Sequence, residues 1–364
     1  MISEFIDGIN RNVGYSYVGL YIMDLKLMIL GIVQAVELGW SKVTEENFAI
    51  SRLTGNSSQV YLLEAGPNVS PKNFIFRFFG SAGTLDINTS SSITLELSKH
   101  NLAPKIFLET SAYRLEEYLQ GYRSLSISEI REVKIAEKIS AKLKFFHSLD
   151  FSSFVNPNSI ICVENAKKWR KVAQNNFSCI NDNERTQEIE QAILALSQEY
   201  WNVFEEILPN SSPVVVSHMD TSYLNILYQE EKEEVYLLDF DYTGYCYRGF
   251  DLAMLLTDIK YDYNINEYPY FKVDARTNNI DSLLAACVKA YGEGVEMFIE
   301  CKQCMVASHY LWAMWAFSLY SSSSERFDML KYGILRFQDF LSSYESLKNT
   351  SLDSLKTQSA LYFL

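Results

Sequence analysis

Residues 213–242, PVVVSHMDTSYLNILYQEEKEEVYLLDFDY, place short apolar strand patterns and an acidic turn inside a half of the chain that otherwise reads as helix. Runs this short and this rich in valine suit strands better than helices, so the segment has to be housed as a small strand-rich island. Its polar residues need an explanation. Asp220 and Asn225 follow the run Val214–Ser217, and Asp239 closes the run Val235–Leu238. Each alone reads equally as a turn residue or the polar start of a strand. Three hard-oxygen side chains at the ends of apolar strands favour chemistry over a plain turn.

The flanks set the architecture. A chain of 364 residues is long for one core, which points to two lobes. FAISRL (Phe48–Leu53), QVYLLEA (Gln59–Ala65), NFIFRFFG, KIFLE and AYRLEEYL have strand character, with SSITLELSKHN as a helix among them. Beyond residue 120 the period becomes helical. One long amphipathic helix is expected over Ser128–Leu149 with Ser128 as its N-cap, and another over Glu184–Leu208. Two helices within about Asp281–Phe317 and one at Phe327–Leu347 end the pattern. The expected fold is therefore α+β and two-lobed, with the layout of a protein-kinase-like fold. A small β-rich N-lobe (1–120) carries an N-terminal helix, a phosphate turn and a hinge. A larger, mostly helical C-lobe (121–364) houses the strand-rich island.

Charge and cysteine usage narrow the partners. A net charge of −13 argues against nucleic acid as the main partner. The apolar run Val18–Val36 contains Asp24 and Lys26, too interrupted for a membrane span, and reads as a buried helix. Six scattered cysteines and a start without a basic n-region point to a cytoplasmic protein. Cys301 and Cys304 form a lone CxxC within a helical pattern, better read as core packing than as a zinc site.

Phosphoryl transfer from a nucleotide needs a phosphate cradle, a cation on the phosphates, Mg²⁺ ligands and an acceptor for the hydroxyl proton. In the island Asp220 is the candidate base, and Asn225 and Asp239 are candidate Mg²⁺ ligands, because hard oxygens suit that ion. Gly55, Asn56, Ser57 and Ser58 link two strands and offer backbone N–H groups to phosphates, although most such turns are plain hairpins. Arg77, inside an apolar strand, requires an anionic partner, either nucleotide phosphate or a protein carboxylate.

Taken in order, these residues resemble the choline/ethanolamine kinase family from about Phe48 to Tyr332. RLTGNSSQVYLLE resembles its strand-turn-strand, FIFRFFG its phosphate-arginine strand, and LAPKIF with YRLEEYL its hinge approach. His218, Asp220 and Asn225 match its catalytic loop, LDFDY its metal motif, and Tyr247–Asp251 its Tyr-Arg-Gly-Phe-Asp run. YDYNINEYPYFK and SHYLWAMWAF resemble its alcohol-pocket segments. The resemblance implies ATP and Mg²⁺ as cofactors, with Asp220 as base and Asn225 and Asp239 on the metal. Nucleotide would meet Gly55, Asn56, Ser57, Ser58, Arg77, Arg114 and Leu115. The ammonium pocket would use Asp241, Tyr242, Asp258, Tyr263, Trp312, Trp315, Phe327 and Tyr332.

A trimethylammonium donates no N–H hydrogen bond, so aromatic faces and a nearby carboxylate are what hold it. Trp312 and Trp315, three apart, share a helical face. The expected substrate is choline and the alternative ethanolamine: YDY with PYFK resembles the choline branch, while TSYL lacks the Gln often found in choline kinases. A kinase-like phosphotransferase for another alcohol and a catalytically weak binding module are the remaining readings. Members of the family are often dimeric, so the resemblance also raises a homodimer. Departures from the pattern are Met219 for Asn, Asp241 and Asp258 for Glu, Asn56 for Gly, and, without a gap, Ser90 where a carboxylate would orient Arg77; a local gap would bring Asp86 or Glu96 to that role instead.

Overall fold

The alternation in the first third of the chain builds one antiparallel sheet. Helix α1 (Val18–Val36) precedes strands β1 (Phe48–Leu53), β2 (Gln59–Ala65) and β3 (Asn73–Phe78). Helix α2 (Ile87–Lys99) then leads to β4 (Ile106–Glu109) and β5 (Tyr113–Glu117), and the sheet order is β1-β2-β3-β5-β4. In β3 the side chains of Phe74, Phe76 and Phe78 are buried while Ile75 and Arg77 are half-buried. That period of two is what a sheet covered on one face requires. The cover includes Leu25, Ile29, Leu30 and Val33 of α1 together with Trp40, so α1 is a core helix.

The structure is a computed structural model that describes residues 18–53, 59–79, 87–179, 184–274, 280–320 and 327–363. It divides into two units, Met1–Gly83 with Leu97–Gln120 and Thr84–Glu96 with Gly121–Leu364.

The second unit is mostly helical. Strand β6 (Arg123–Ser124) is followed by α3 (Ile127–Ile130), α4 (Val133–His147), α5 (Ile161–Cys179), α6 (Thr186–Ala195) and α7 (Gln198–Ile207). The strand island comprises β7 (Val214–Ser217), β8 (Ile226–Gln229), β9 (Glu234–Leu237) and β10 (Gly244–Tyr247). Helix α8 (Phe250–Asp258), the short strands β11 (Tyr261–Asp262) and β12 (Lys272–Val273), and helices α9 (Ile280–Tyr291), α10 (Val295–Leu319), α11 (Met329–Lys348) and α12 (Leu352–Phe363) complete it.

Three helical expectations change. The helix expected over Ser128–Leu149 is two, and Ser126 is the cap, exchanging hydrogen bonds with Glu129 in a reciprocal capping box. The chain breaks after Arg131, whose guanidinium reaches across to Asp274 (2.8 Å) and the Ile259 carbonyl (2.8 Å). The span Glu184–Leu208 is also two helices, because Ser197 takes an extended conformation before α7. Helix α5 was not anticipated, although Cys162, Ala166, Trp169, Ala173 and Phe177 are buried at helical spacing.

The island is split. β8 and β9 form a hairpin across the acidic turn, and β7 pairs with β10. The β7–β8 and β9–β10 connections therefore both carry the polar residues, joined where the Leu238 N–H donates to the Asn225 carbonyl (2.9 Å). Helices α10 and α11 approach closely at Gly333, where a Cβ would lie 2.5 Å from the Phe317 ring. Cys301 and Cys304 are buried in α10 as free thiols. Among the described residues no helix is long and apolar enough to cross a membrane.

Candidate active site

The β7–β8 loop is held from beneath by one residue. Asp251, in the first turn of α8 and 0% exposed, accepts from the His218 N–H (2.7 Å) and the Met219 N–H (2.8 Å). Its carboxylate also contacts His147 Nε2 (2.9 Å), and its carbonyl accepts from the Thr221 hydroxyl (2.6 Å). Burial alone raises such a carboxyl, but the His147 hydrogen bond and nearby histidines outweigh it and hold Asp251 below the usual range. His218 lies 2.9 Å through Nε2 from the Leu238 carbonyl, and its Nδ1 accepts from the Asp220 N–H (3.3 Å). That pattern requires a neutral ring, and burial pushes His218 below the ordinary imidazole value.

Met219 resolves its own oddity. It sits at φ +69°, a left-handed conformation that Asn tolerates better than Met, and its side chain is buried in the largest core cluster. Met219 thus trades backbone ease for core packing. In Met219→Asn, relief of ~1 kcal/mol of backbone strain opposes a cost of about 1–3 kcal/mol for burying an amide. We expect stability within ~2 kcal/mol and kcat within about tenfold of the parent, read by urea unfolding and steady-state kinetics.

The candidate base is oriented by the candidate metal ligand. Asn225 spends both amide hydrogens on Asp220, one on Oδ2 (2.8 Å) and one on the backbone carbonyl (3.0 Å). This fixes the amide so that its carbonyl oxygen is left as an acceptor. Enclosure in protein, with Asp239, Asp258 and Asp241 nearby, pushes Asp220 well above the ordinary carboxyl value. Asp239 adopts φ +65°, a backbone state Asp tolerates, and Asp241 accepts from the Ser90 hydroxyl at 2.6 Å. Among the described residues no three His, Cys, Asp or Glu side chains gather into a metal cage. An amide oxygen and a carboxylate are hard donors of the kind Mg²⁺ takes alongside waters and phosphate oxygens.

Beyond the acids lies a continuous aromatic cluster. Tyr242 meets Trp312 (5.6 Å between ring centroids), Trp312 meets Trp315 (5.2 Å), and Trp315 meets Tyr332 (6.4 Å). Tyr332 in turn contacts Tyr263 (6.1 Å) and Phe327 (5.6 Å). The indole N–H of Trp312 goes to Met254 Sδ and that of Trp315 to the Tyr242 hydroxyl. Asp258, two helical turns after Asp251 on the same face of α8, is tied into this cluster by the Tyr263 hydroxyl (2.6 Å). One fully buried helix thus serves both the loop and the cluster.

In the first unit, Arg77 on β3 stands opposite Arg114 on β5, and Glu116 lies 3.4 Å from each. One carboxylate beside Arg77 among the described residues, Glu116, comes from a strand, and Ser90 donates to Asp241. Arg114 also pairs with Glu109, and the Leu115 side chain is in the core. The expected phosphate turn, Gly55, Asn56, Ser57 and Ser58, lies outside the described residues. Sequence reasoning passed over Asp251, His147, Glu116 and Arg336; for Asp251 the quoted Tyr247–Asp251 run was the available signal.

A family model described as choline/ethanolamine kinase matches residues 50–341. A human choline/ethanolamine kinase is 26% identical over 331 residues, covering 82% of this chain and 81% of that protein. Among solved structures, a choline kinase from Cryptosporidium parvum aligns with TM-score 0.72 at 21% identity, over 93% of this chain and 99% of the other. A Plasmodium vivax ethanolamine kinase aligns with TM-score 0.68 at 17% identity, over 93% of each. These likenesses and the sheet and helical units make the fold protein-kinase-like.

Proposed function

Because the chain belongs to the choline/ethanolamine kinase family, we propose that it transfers the γ-phosphoryl group of ATP to choline, giving phosphocholine. The observation that carries this reading is the aromatic cluster beside Asp220. Both tryptophans commit their N–H groups internally, so they offer the cation ring faces rather than donors. Each such face is worth roughly 0.5–2 kcal/mol to a desolvated quaternary ammonium.

In this reading Asp220 accepts the alcohol proton and aligns the oxygen for in-line attack. Its raised proton affinity suits a base, provided the site is loaded with cations that return it to the ionised form. Asn225 holds Asp220 in place with its amide hydrogens, which leaves its side-chain carbonyl oxygen as an acceptor. Asn225 and Asp239 would hold Mg²⁺, which when bound supplies charge neutralisation to the phosphates. Arg77 is assigned to the nucleotide phosphates with Glu116 setting its guanidinium, and Asp251 keeps the loop at its height. The free thiols, five of six buried, are in keeping with a reducing, cytoplasmic setting.

Ethanolamine is the second reading, favoured by one observation. Asp258 Oδ2 is buried without a hydrogen-bond partner among the described residues, and a primary ammonium can supply one. The test is kcat/KM for the two alcohols under one set of conditions. A higher value for choline supports the first reading, and a clear ethanolamine preference replaces it with the second.

A further inference from the structure

Arg336, on α11, is 0% exposed, and no catalytic role expected from the sequence uses it. A buried guanidinium is costly unless fully engaged, so its partners show what it is for. Nη2 donates to Asp258 Oδ1 at 2.6 Å and Nε to the Tyr332 hydroxyl at 2.8 Å. The guanidinium also lies over the Tyr261 ring, 4.3 Å from its centroid, and Nη1 is 3.4 Å from His309 Nδ1. These contacts come from α8, α10, β11 and α11 itself, so the group cannot swing without breaking several packed elements.

The consequence falls on Asp258. Its Oδ1 is saturated, taking Arg336 and the Tyr263 hydroxyl (2.6 Å) together. Its Oδ2 is buried and takes no donor among the described residues, although Asp258 is only 3% exposed. An unsatisfied buried carboxylate oxygen is destabilising, and a ligand that supplies a donor relieves that cost. The Tyr263 hydroxyl is also 3.0 Å from that of Tyr332, so the same network links the oriented carboxylate to the aromatic rings.

We infer that Arg336 is a positioning residue that locks one oxygen of Asp258 and so presents the other, as a single oriented acceptor, to the ammonium group of the substrate. This rests on the amino-alcohol kinase reading and deepens it into a specificity device. A primary ammonium gains a directed, charge-assisted hydrogen bond from that oxygen. A quaternary ammonium has no N–H and depends on ring faces, which do not need the carboxylate aimed. Arg336 therefore sets how far the site favours an N–H-bearing cation over a methylated one.

The test is Arg336→Lys, which keeps the charge but loses the planar fork and the ring stacking. Tyr263→Phe, which deletes one hydroxyl, is the milder companion should the lysine variant fail to fold. We expect kcat/KM for ethanolamine to fall about tenfold more than that for choline in Arg336→Lys, and about threefold more in Tyr263→Phe. The KM for ATP should stay unchanged. Equal losses on both alcohols, or a matching rise in ATP KM, in folded variants would overturn the inference and leave Arg336 a packing residue. Tryptophan fluorescence titration with ethylammonium and tetramethylammonium separates this from failure of the kinase reading. If the parent phosphorylates neither alcohol but the variants selectively lose ethylammonium, the inference stands without that reading. If the parent binds neither cation, both fall.

Discussion

Asp220→Asn lowers kcat about 10³-fold, on the order of 4 kcal/mol in the transition state, while leaving nucleotide affinity close to that of the parent. The expectation follows from what the substitution keeps and removes. Asn has the shape to stay beside Asn225 and still receive the Asp220-side contacts of the loop, whose backbone is fixed through Asp251 and His218. What disappears is a carboxylate whose proton affinity is raised by enclosure and by three neighbouring aspartates. Rapid-quench or steady-state kinetics with ATP and choline, beside nucleotide binding by calorimetry, read the two effects separately. A kcat within tenfold of the parent removes Asp220 from the chemistry.

Asp251→Asn has the second large effect, on fold and activity together. The amide can accept at one atom only, so two backbone N–H groups and His147 no longer share two acceptor oxygens. Breaking a buried charged group of this kind costs about 3–5 kcal/mol. The loop loses its support, so activity falls well before unfolding. The pH dependence carries a sign. The folded-state pKa of Asp251 is lowered, so its contribution is fully present above the ordinary carboxyl value of 3.8 and is lost as pH falls through the depressed value. In urea unfolding the stability gap between parent and Asp251→Asn should hold from about pH 8 to about pH 5 and close only in strong acid. A gap that is absent at neutral pH contradicts this account of the loop.

Much of the site is legible in the sequence because it is local. Asp220, Asn225 and Asp239 sit at the ends of short apolar strands, and the hairpin brings the two loops together. Trp312 and Trp315 share a helix face, and their spacing says so. The supporting groups are not legible, because each acts over a long sequence separation. Arg336 reaches Asp258 from 78 residues away, and His147 reaches Asp251 from 104. Ser90 meets Asp241 across 151 positions, where a carboxylate for Arg77 was sought. Met219 departs from the loop motif, and the structure makes it a core residue paired with a left-handed backbone, as an apolar side chain in that place suggests. The break after Arg131 escaped periodicity because Arg131 is drawn to Asp274, a contact no local pattern encodes.

Phosphoryl transfer to the amino alcohol is tested by following the label from γ-labelled ATP in the presence of Mg²⁺ and choline or ethanolamine. Label is expected in phosphocholine or phosphoethanolamine, formed by the parent and about 10³-fold more slowly by Asp220→Asn. Label that stays in ATP, or passes only to inorganic phosphate whichever alcohol is present, would contradict it.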